Sequence, residues 1–382
     1  MGTATTTTLL RGEVHTGRRT VTDGWVHLSG GRVTAVGAAF QPAPPAEREE
    51  HGHRVVPGFV DVHCHGGGGA AFGAAGGDAD AEAAAARTVA RTHRAHGTTT
   101  LVASLVTRPV AELVAVARAL EPLVRSGELA GVHLEGPWLD PAHRGAHAPA
   151  LLRPPVDDDV DALLATGAVV MVTAAPELPG GLALVRRLAG AGVLAAVGHT
   201  GADAATARAA VDAGARVATH LFNAMPPVHH RDPGPVVALL DDPRVVVELI
   251  ADGVHLHPLV LAHAARSAGR GRWVLVTDAM AAAGCGDGRY DLGGLAVEVV
   301  GGVARLATAD GAEGAIAGST LTLDAALRCA VGAGLPFADA LAAVTATPAA
   351  LLGRADRGHL EPGATGGAVL LSDALEVLSV HP

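Results

Sequence analysis

From Pro57 onward the chain alternates short apolar runs with Ala-rich stretches whose apolar residues recur at helical spacing. Eight runs stand out, at 58–62, 98–103, 131–134, 169–173, 193–197, 216–219, 245–250 and 273–277. Helical patterns separate most of them, for example at 79–96, 110–126, 182–191 and 202–213. A run and a helix every few tens of residues is the pace of repeated βα units. Eight of them predict a closed parallel barrel, with an open doubly wound sheet as the alternative.

The flanks read differently. Val26-His27-Leu28 followed by 30–37 predicts a hairpin that turns on Gly30-Gly31, and the Pro-rich, acidic stretch 41–50 predicts an exposed loop. Helices at 321–331 and 336–352 extend the barrel, and 368–380 predicts one more alternating strand. The expected fold is α/β: a (β/α)8 TIM-type barrel over 57–357, with a small β-sandwich domain built from both termini, 1–56 and 358–382.

Composition narrows the chemistry. The 382 residues carry 28 basic and 38 acidic side chains, a net charge of −10, with nine aromatics, which argues against a nucleic-acid partner. All the basic residues are Arg. The absence of Lys excludes a Schiff base, a phosphate-loop lysine and a carbamylated lysine bridging two metals. Three cysteines in a chain this long predict a reduced protein without a disulfide framework. The first residues show no basic-then-apolar leader, and no apolar run reaches about 18 residues, so the expectation is a cytoplasmic protein with no membrane partner. Met1-Gly2 with Thr6 fits an acylation pattern only formally, since no basic patch follows.

Polar residues fall where barrel strands end, and those ends converge on one mouth. The first run closes on Val62-His63-Cys64-His65, where strand alternation sends both imidazoles to one side and Cys64 to the other. The third closes on His133-Leu134-Glu135, the fifth on Gly198-His199-Thr200, the sixth on Thr219-His220 and the eighth on Thr277-Asp278. One histidine at a strand end is ordinarily structural. Five strand ends carrying ligand-type side chains predict a divalent-metal site that activates water. His133 shares a face with Glu135 and is a candidate to support the ligands. Off these motifs, His15, His27, His51, His53, His93, His96, His263 and His359 are expected to be mostly solvated. Cys64 is expected to pack away from the site, and Cys285 to lie in a loop.

These stretches, together with Pro57-Gly58-Phe59-Val60-Asp61, Gly136-Pro137, Arg144-Gly145-Ala146-His147, Leu221-Phe222-Asn223-Ala224-Met225, Ala251-Asp252-Gly253-Val254-His255 and Ala317-Gly318-Ser319-Thr320-Leu321-Thr322, resemble the N-acetylglucosamine-6-phosphate deacetylases of the amidohydrolase superfamily. The resemblance implies that Glu135, His199 and His220 hold the principal metal and that Asp278 is the general acid/base. It gives Ala146, His147, Asn223, Ala224, Arg231, His255 and Ile316, Ala317 and Gly318 to the substrate, with His147 also polarising the carbonyl and Arg231 gripping the phosphate. It implies zinc, with iron, manganese or cobalt as alternatives, and a homodimer acting on a phosphorylated N-acetylated amino sugar. Relatives vary at the first strand, so His63 and His65 leave one metal or two open. The tail departs from relatives at Gly366-Gly367-Ala368-Val369. Two other readings remain: a different amidohydrolase activity, such as a cyclic amidase or nucleobase deaminase, and a non-catalytic metal-binding scaffold.

Overall fold

Eight strands rich in Val, Leu and Ala pair side by side in parallel, each returning through the connection that follows it. The computed structural model describes residues 6–308 and 312–382, so Met1 and Gly2 of the acylation pattern lie outside them. In chain order the barrel strands are Phe59–Cys64, Thr98–Val106, Gly131–Glu135, Val169–Ala174, Leu194–Val197, Val217–Ala218, Val246–Ile250 and Trp273–Val276, and spatial order follows chain order. Crossover connections between parallel neighbours require intervening helices. Val110–Ser126 shows why they pack: Leu113, Val116, Ala117, Leu120 and Leu123 fall on one face and are buried, and the helix stops at Gly127, whose φ is +82°. Asp78 caps the preceding helix, Ala79–Ala95, by accepting from the Ala81 N–H.

The eighth strand closes on the first just past its own end. Cys64 bridges Ala279 in parallel, the Asp278 N–H donates to the His63 carbonyl at 2.9 Å, and the His65 N–H donates to Ala279 at 2.8 Å. Asp61 pins this seam. Its carboxylate is fully buried and accepts from the Thr277 hydroxyl at 2.6 Å and from the backbone N–H groups of His63 and Thr277 at 3.2 and 3.4 Å. Burial nevertheless pushes its pKa up to about 7, against those hydrogen bonds.

Head and tail share one six-stranded sheet, ordered Val377–His381, Ala368–Leu371, Arg48–Pro57, Thr7–His15, Thr20–Ser29 and Arg32–Ala38. Gly30-Gly31, both at positive φ, make the hairpin turn. Leu10, Val14, Val26, Leu28, Val55 and Leu370 form its own apolar core.

Several local expectations change. The stretch 41–50 is not loop throughout, because the strand Arg48–Pro57 begins inside it. The single strand expected at 368–380 is a hairpin. The helix expected over 336–352 breaks at Thr345 into Phe337–Val344 and Ala346–Leu351. Pro348 has no N–H to return to the Val344 carbonyl, so a continuous helix would lose a bond there. A three-stranded meander, Gly288–Leu292, Leu295–Val300 and Val303–Leu306, follows the eighth barrel strand and was not anticipated. It buries Leu292, Val297, Val299 and Ala304 against Val106, Met280 and Ala317. Its two Gly-Gly turns, 293–294 and 301–302, repeat the signal already seen at 30–31. Among the described residues no helix is long and apolar enough to cross a membrane.

The seam makes a testable demand. Thr277→Val keeps shape but removes the hydroxyl that donates to Asp61, leaving a buried acceptor short of a partner. Stability should fall by about 1–3 kcal/mol. Urea unfolding of the variant beside wild type measures it, and an unchanged midpoint would show that the seam does not depend on this bond.

Candidate metal centre

His63 and Glu135 belong to strands, whereas His199, His220 and Asp278 are each the second residue past one, after Val197, Ala218 and Val276. These three have φ of +49°, +28° and +47°. Non-glycine residues are uncommon there, and the left-handed kink turns each side chain back over the barrel mouth. All five are buried.

Glu135 sits at the centre. Its Oε1 lies 2.9 Å from His220 Nε2, 3.1 Å from His199 Nε2 and 3.7 Å from His63 Nε2. Its Oε2 lies 3.2 Å from His65 Nε2 and 3.4 Å from His147 Nε2. Asp278 Oδ1 is 3.2 Å from His65 Nε2 and 3.4 Å from His63 Nε2. Two overlapping donor sets result, Glu135/His199/His220 and His63/His65/Glu135/Asp278, each with ligand atoms within 4.8 Å of one another.

What stands behind each ring decides which nitrogen faces inward. His199 Nδ1 is 2.9 Å from the His143 carbonyl oxygen, His65 Nδ1 is 3.1 Å from that of Ser104, and His63 Nδ1 is 3.0 Å from Glu248 Oε2. Carbonyls and carboxylates accept, so each Nδ1 carries hydrogen and each neutral ring turns the lone pair of Nε2 to the centre. Nε2 of His63 and His65 lie 3.1 Å apart, and those of His199 and His220 3.0 Å apart. Facing lone pairs repel unless a cation takes them. His220 Nδ1 has no hydrogen-bond partner among the described residues. Imidazole nitrogens combined with carboxylate oxygens suit a divalent transition metal, so the residues present fit one.

The charges agree. Burial pushes Glu135 up, but the imidazoles of His63, His147 and His199 outweigh it and hold the carboxyl well below its ordinary range. Asp278 is likewise held low, against its burial, by His63 and His65. Burial pushes His199 down to about 4, which keeps it neutral. His65 moves up to about 8 despite its burial, through its hydrogen bonds to Asp278 and Glu135. Buried carboxylates here demand positive charge, and protons on the imidazoles compete with a metal for that role.

A cavity of about 240 Å³ opens beside the cluster. Of the residues assigned to substrate, Ala146, His147, Asn223, Ala224, His255, Ile316 and Gly318 line it, next to His65, Glu135, His199, His220 and Asp278. Two do not. Ala317 is fully buried and turns into the meander, its N–H donating to Ala304 at 3.0 Å. Arg231 is exposed outside the cavity wall, with Nη1 2.8 Å from His230 Nε2. Thr107 holds His147 Nδ1 from behind, and Asp252 Oδ2 lies 2.6 Å from His255 Nδ1.

Sequence reasoning missed Glu248, which is fully buried and also accepts from the His220 N–H at 3.2 Å. One carboxylate in the otherwise apolar run Val246-Val247-Glu248-Leu249-Ile250 was the available signal, because an unpaired charge there is costly. Val106 and Leu292 of the cavity wall were missed with the meander. His133 lies edge-on to His63, ring centroids 4.6 Å apart, with Nδ1 3.0 Å from Ser104 Oγ and Nε2 2.8 Å from Thr173 Oγ1. The solvated expectation fails for His15, His27 and His93, which are buried. His93 is held by the Gly66 carbonyl at 2.9 Å and by Cys64 Sγ at 3.3 Å, on the side of the first strand away from the site. Cys285 is exposed.

Residues 54–380 match the amidohydrolase family. The structure of an aspartate-to-alanine variant of N-acetyl-D-glucosamine-6-phosphate deacetylase from Mycobacterium smegmatis, in complex with N-acetyl-D-glucosamine-6-phosphate, is similar with a TM-score of 0.91 and 45% identity, covering 98% of this chain and 97% of that one. N-acetylgalactosamine-6-phosphate deacetylase of Escherichia coli O157:H7 is 37% identical over 95% of this chain and 96% of its own length. Human N-acetylglucosamine-6-phosphate deacetylase is 38% identical over 88% of this chain and 84% of its own. The chain belongs to the amidohydrolase family, and within it to the N-acetylglucosamine-6-phosphate deacetylases.

Proposed function

We propose that this chain hydrolyses the acetamide of N-acetyl-D-glucosamine 6-phosphate, releasing acetate and D-glucosamine 6-phosphate. The observation that carries the reading is the convergence of Asp278, Glu135 and His147 on the lining of one cavity of about 240 Å³. The similar Mycobacterium smegmatis enzyme holds this same sugar phosphate. The proposal carries with it a cytoplasmic setting, a role in amino-sugar catabolism or cell-wall recycling, and a homodimer.

An amide is a poor electrophile with a poor leaving group, so the site must supply a nucleophile, a donor for the oxyanion and a proton for the amine. Glu135, His199 and His220 would hold the principal metal, and His63 and His65, with Glu135 and Asp278, a second. When bound, a divalent metal (zinc in our reading, with iron, manganese or cobalt as alternatives) supplies Lewis acidity that lowers the pKa of a water towards about 7. Asp278, ionised and buried at the mouth, takes the proton of the attacking water and returns it to the departing nitrogen. His147 donates to the carbonyl oxygen as charge develops on it. Asn223, Ala224, His255, Ile316 and Gly318 seat the sugar. Arg231 meets the phosphate as a bidentate cation, which its position outside the cavity allows only through a shift of its loop or through a second copy of the chain.

A second reading has its own support, since the Escherichia coli relative is named for the galactosamine epimer. Acetate release from both sugar phosphates, and from their unphosphorylated forms, separates these readings from other amidohydrolase activities. Release should require the phosphate and stop with a chelator. Asp278→Asn should lower kcat by roughly 10²–10⁴ while fold and metal content are retained. An active Asn variant would sink the assignment.

Arg231→Ala should raise KM for the phosphorylated sugar roughly 10-fold or more, as loss of a charge-assisted hydrogen bond implies. An unchanged KM means the phosphate is held elsewhere. For the second metal, the double change His63→Gln and His65→Asn should reduce bound metal from about two to about one per chain. Elemental analysis of metal-saturated protein reads this directly. One metal in both proteins would remove the second position.

A further inference from the structure

Thr107 follows directly on the second barrel strand and is buried, and nothing in the reaction above uses it. Its backbone N–H lies 3.3 Å from His147 Nδ1 and its hydroxyl 2.8 Å from the same nitrogen. A backbone N–H can only donate. The nitrogen it addresses therefore presents a lone pair, and the hydroxyl beside it, with one hydrogen and two acceptors in reach, turns it to this nearer one. The single hydrogen of a neutral His147 ring is then on Nε2, the nitrogen 3.4 Å from Glu135 Oε2.

His63, His65 and His199 are arranged the opposite way, with acceptors behind Nδ1 and lone pairs inward. One residue type thus does two jobs in one site, sorted by what backs each ring. The hydroxyl has room only because residue 136 is glycine: its φ is +85°, and a Cβ there would come within 2.2 Å of Thr107 Oγ1. The same hydroxyl lies 3.2 Å from the Glu135 carbonyl oxygen, so it joins the ends of two neighbouring strands to the loop that carries His147.

We infer that Thr107 is a positioning residue for deacetylation, holding His147 as its Nε2–H tautomer so that the ring serves as a hydrogen-bond donor to the substrate's amide carbonyl and not as a metal ligand. This rests on the carbonyl-polarising role read for His147. Thr107 acts on the step in which charge develops, more than on binding.

Three variants test it. Thr107→Val keeps the shape and the backbone N–H but removes the hydroxyl, and kcat should fall roughly 10-fold or more with KM changed less than about twofold and metal content unchanged. Thr107→Ser returns the hydroxyl and should recover most of kcat. Nitrogen-15 NMR of the His147 ring should show the Nε2–H form in wild type and in Thr107→Ser, and a mixture of tautomers in Thr107→Val. Wild-type kcat in the Val variant overturns the inference, as does a Ser variant as impaired as Val. His147→Gln is measured alongside. If it keeps full kcat, the role read for His147 fails, and the ring tautomer alone then decides whether Thr107 sets it.

Discussion

Glu135 is a carboxylate taken out of water and surrounded by imidazoles, and the rest of the mouth is organised around that fact. Its Oε1 faces His199, His220 and, farther off, His63, and its Oε2 faces His65 and His147. Burial alone would favour the neutral acid. The surrounding rings reverse this and keep it charged. A second carboxylate, Asp278, faces His63 and His65, so the centre concentrates negative charge and nitrogen lone pairs in a volume that only cations can neutralise.

The barrel contributes position more than affinity. Strands that end at one mouth deliver side chains from far-apart segments to within hydrogen-bond distance of each other. The left-handed backbone at His199, His220 and Asp278 completes the aim, and the seam through Asp61 and Thr277 sets where Asp278 lies relative to His63. Rings with carbonyl or carboxylate acceptors behind them offer lone pairs to the centre, and the ring with donors behind it offers a hydrogen. The meander adds the apolar side chain of Leu292 to the cavity lining.

Much of this was legible in the chain. Eight apolar runs alternating with helical patterns mean a barrel because parallel neighbours need crossovers, and His63, Glu135, His199, His220 and Asp278 could be picked out because ligand-type residues at strand ends have one place to go. The alternation of a strand was enough to separate His63 and His65 from Cys64. Pairing of head and tail followed from apolar alternation at both ends. By itself, then, the sequence determined the architecture and which ligand-type side chains meet at the mouth.

Only the tertiary structure decided what stands behind those residues. Glu248 and Ser104 come from other strands and Thr107 from the residue just past one, and no local pattern says that a carboxylate at 248 backs His63 or that a hydroxyl at 107 backs His147. The same holds for burial of His93, whose partners Gly66 and Cys64 lie in a different segment, and for Arg231, which the family resemblance puts near the substrate and the fold leaves on the surface. Periodicity reports which face of an element turns inward. It carries no information on which side chain of a neighbouring element meets it there, because that depends on register and on closure of the barrel.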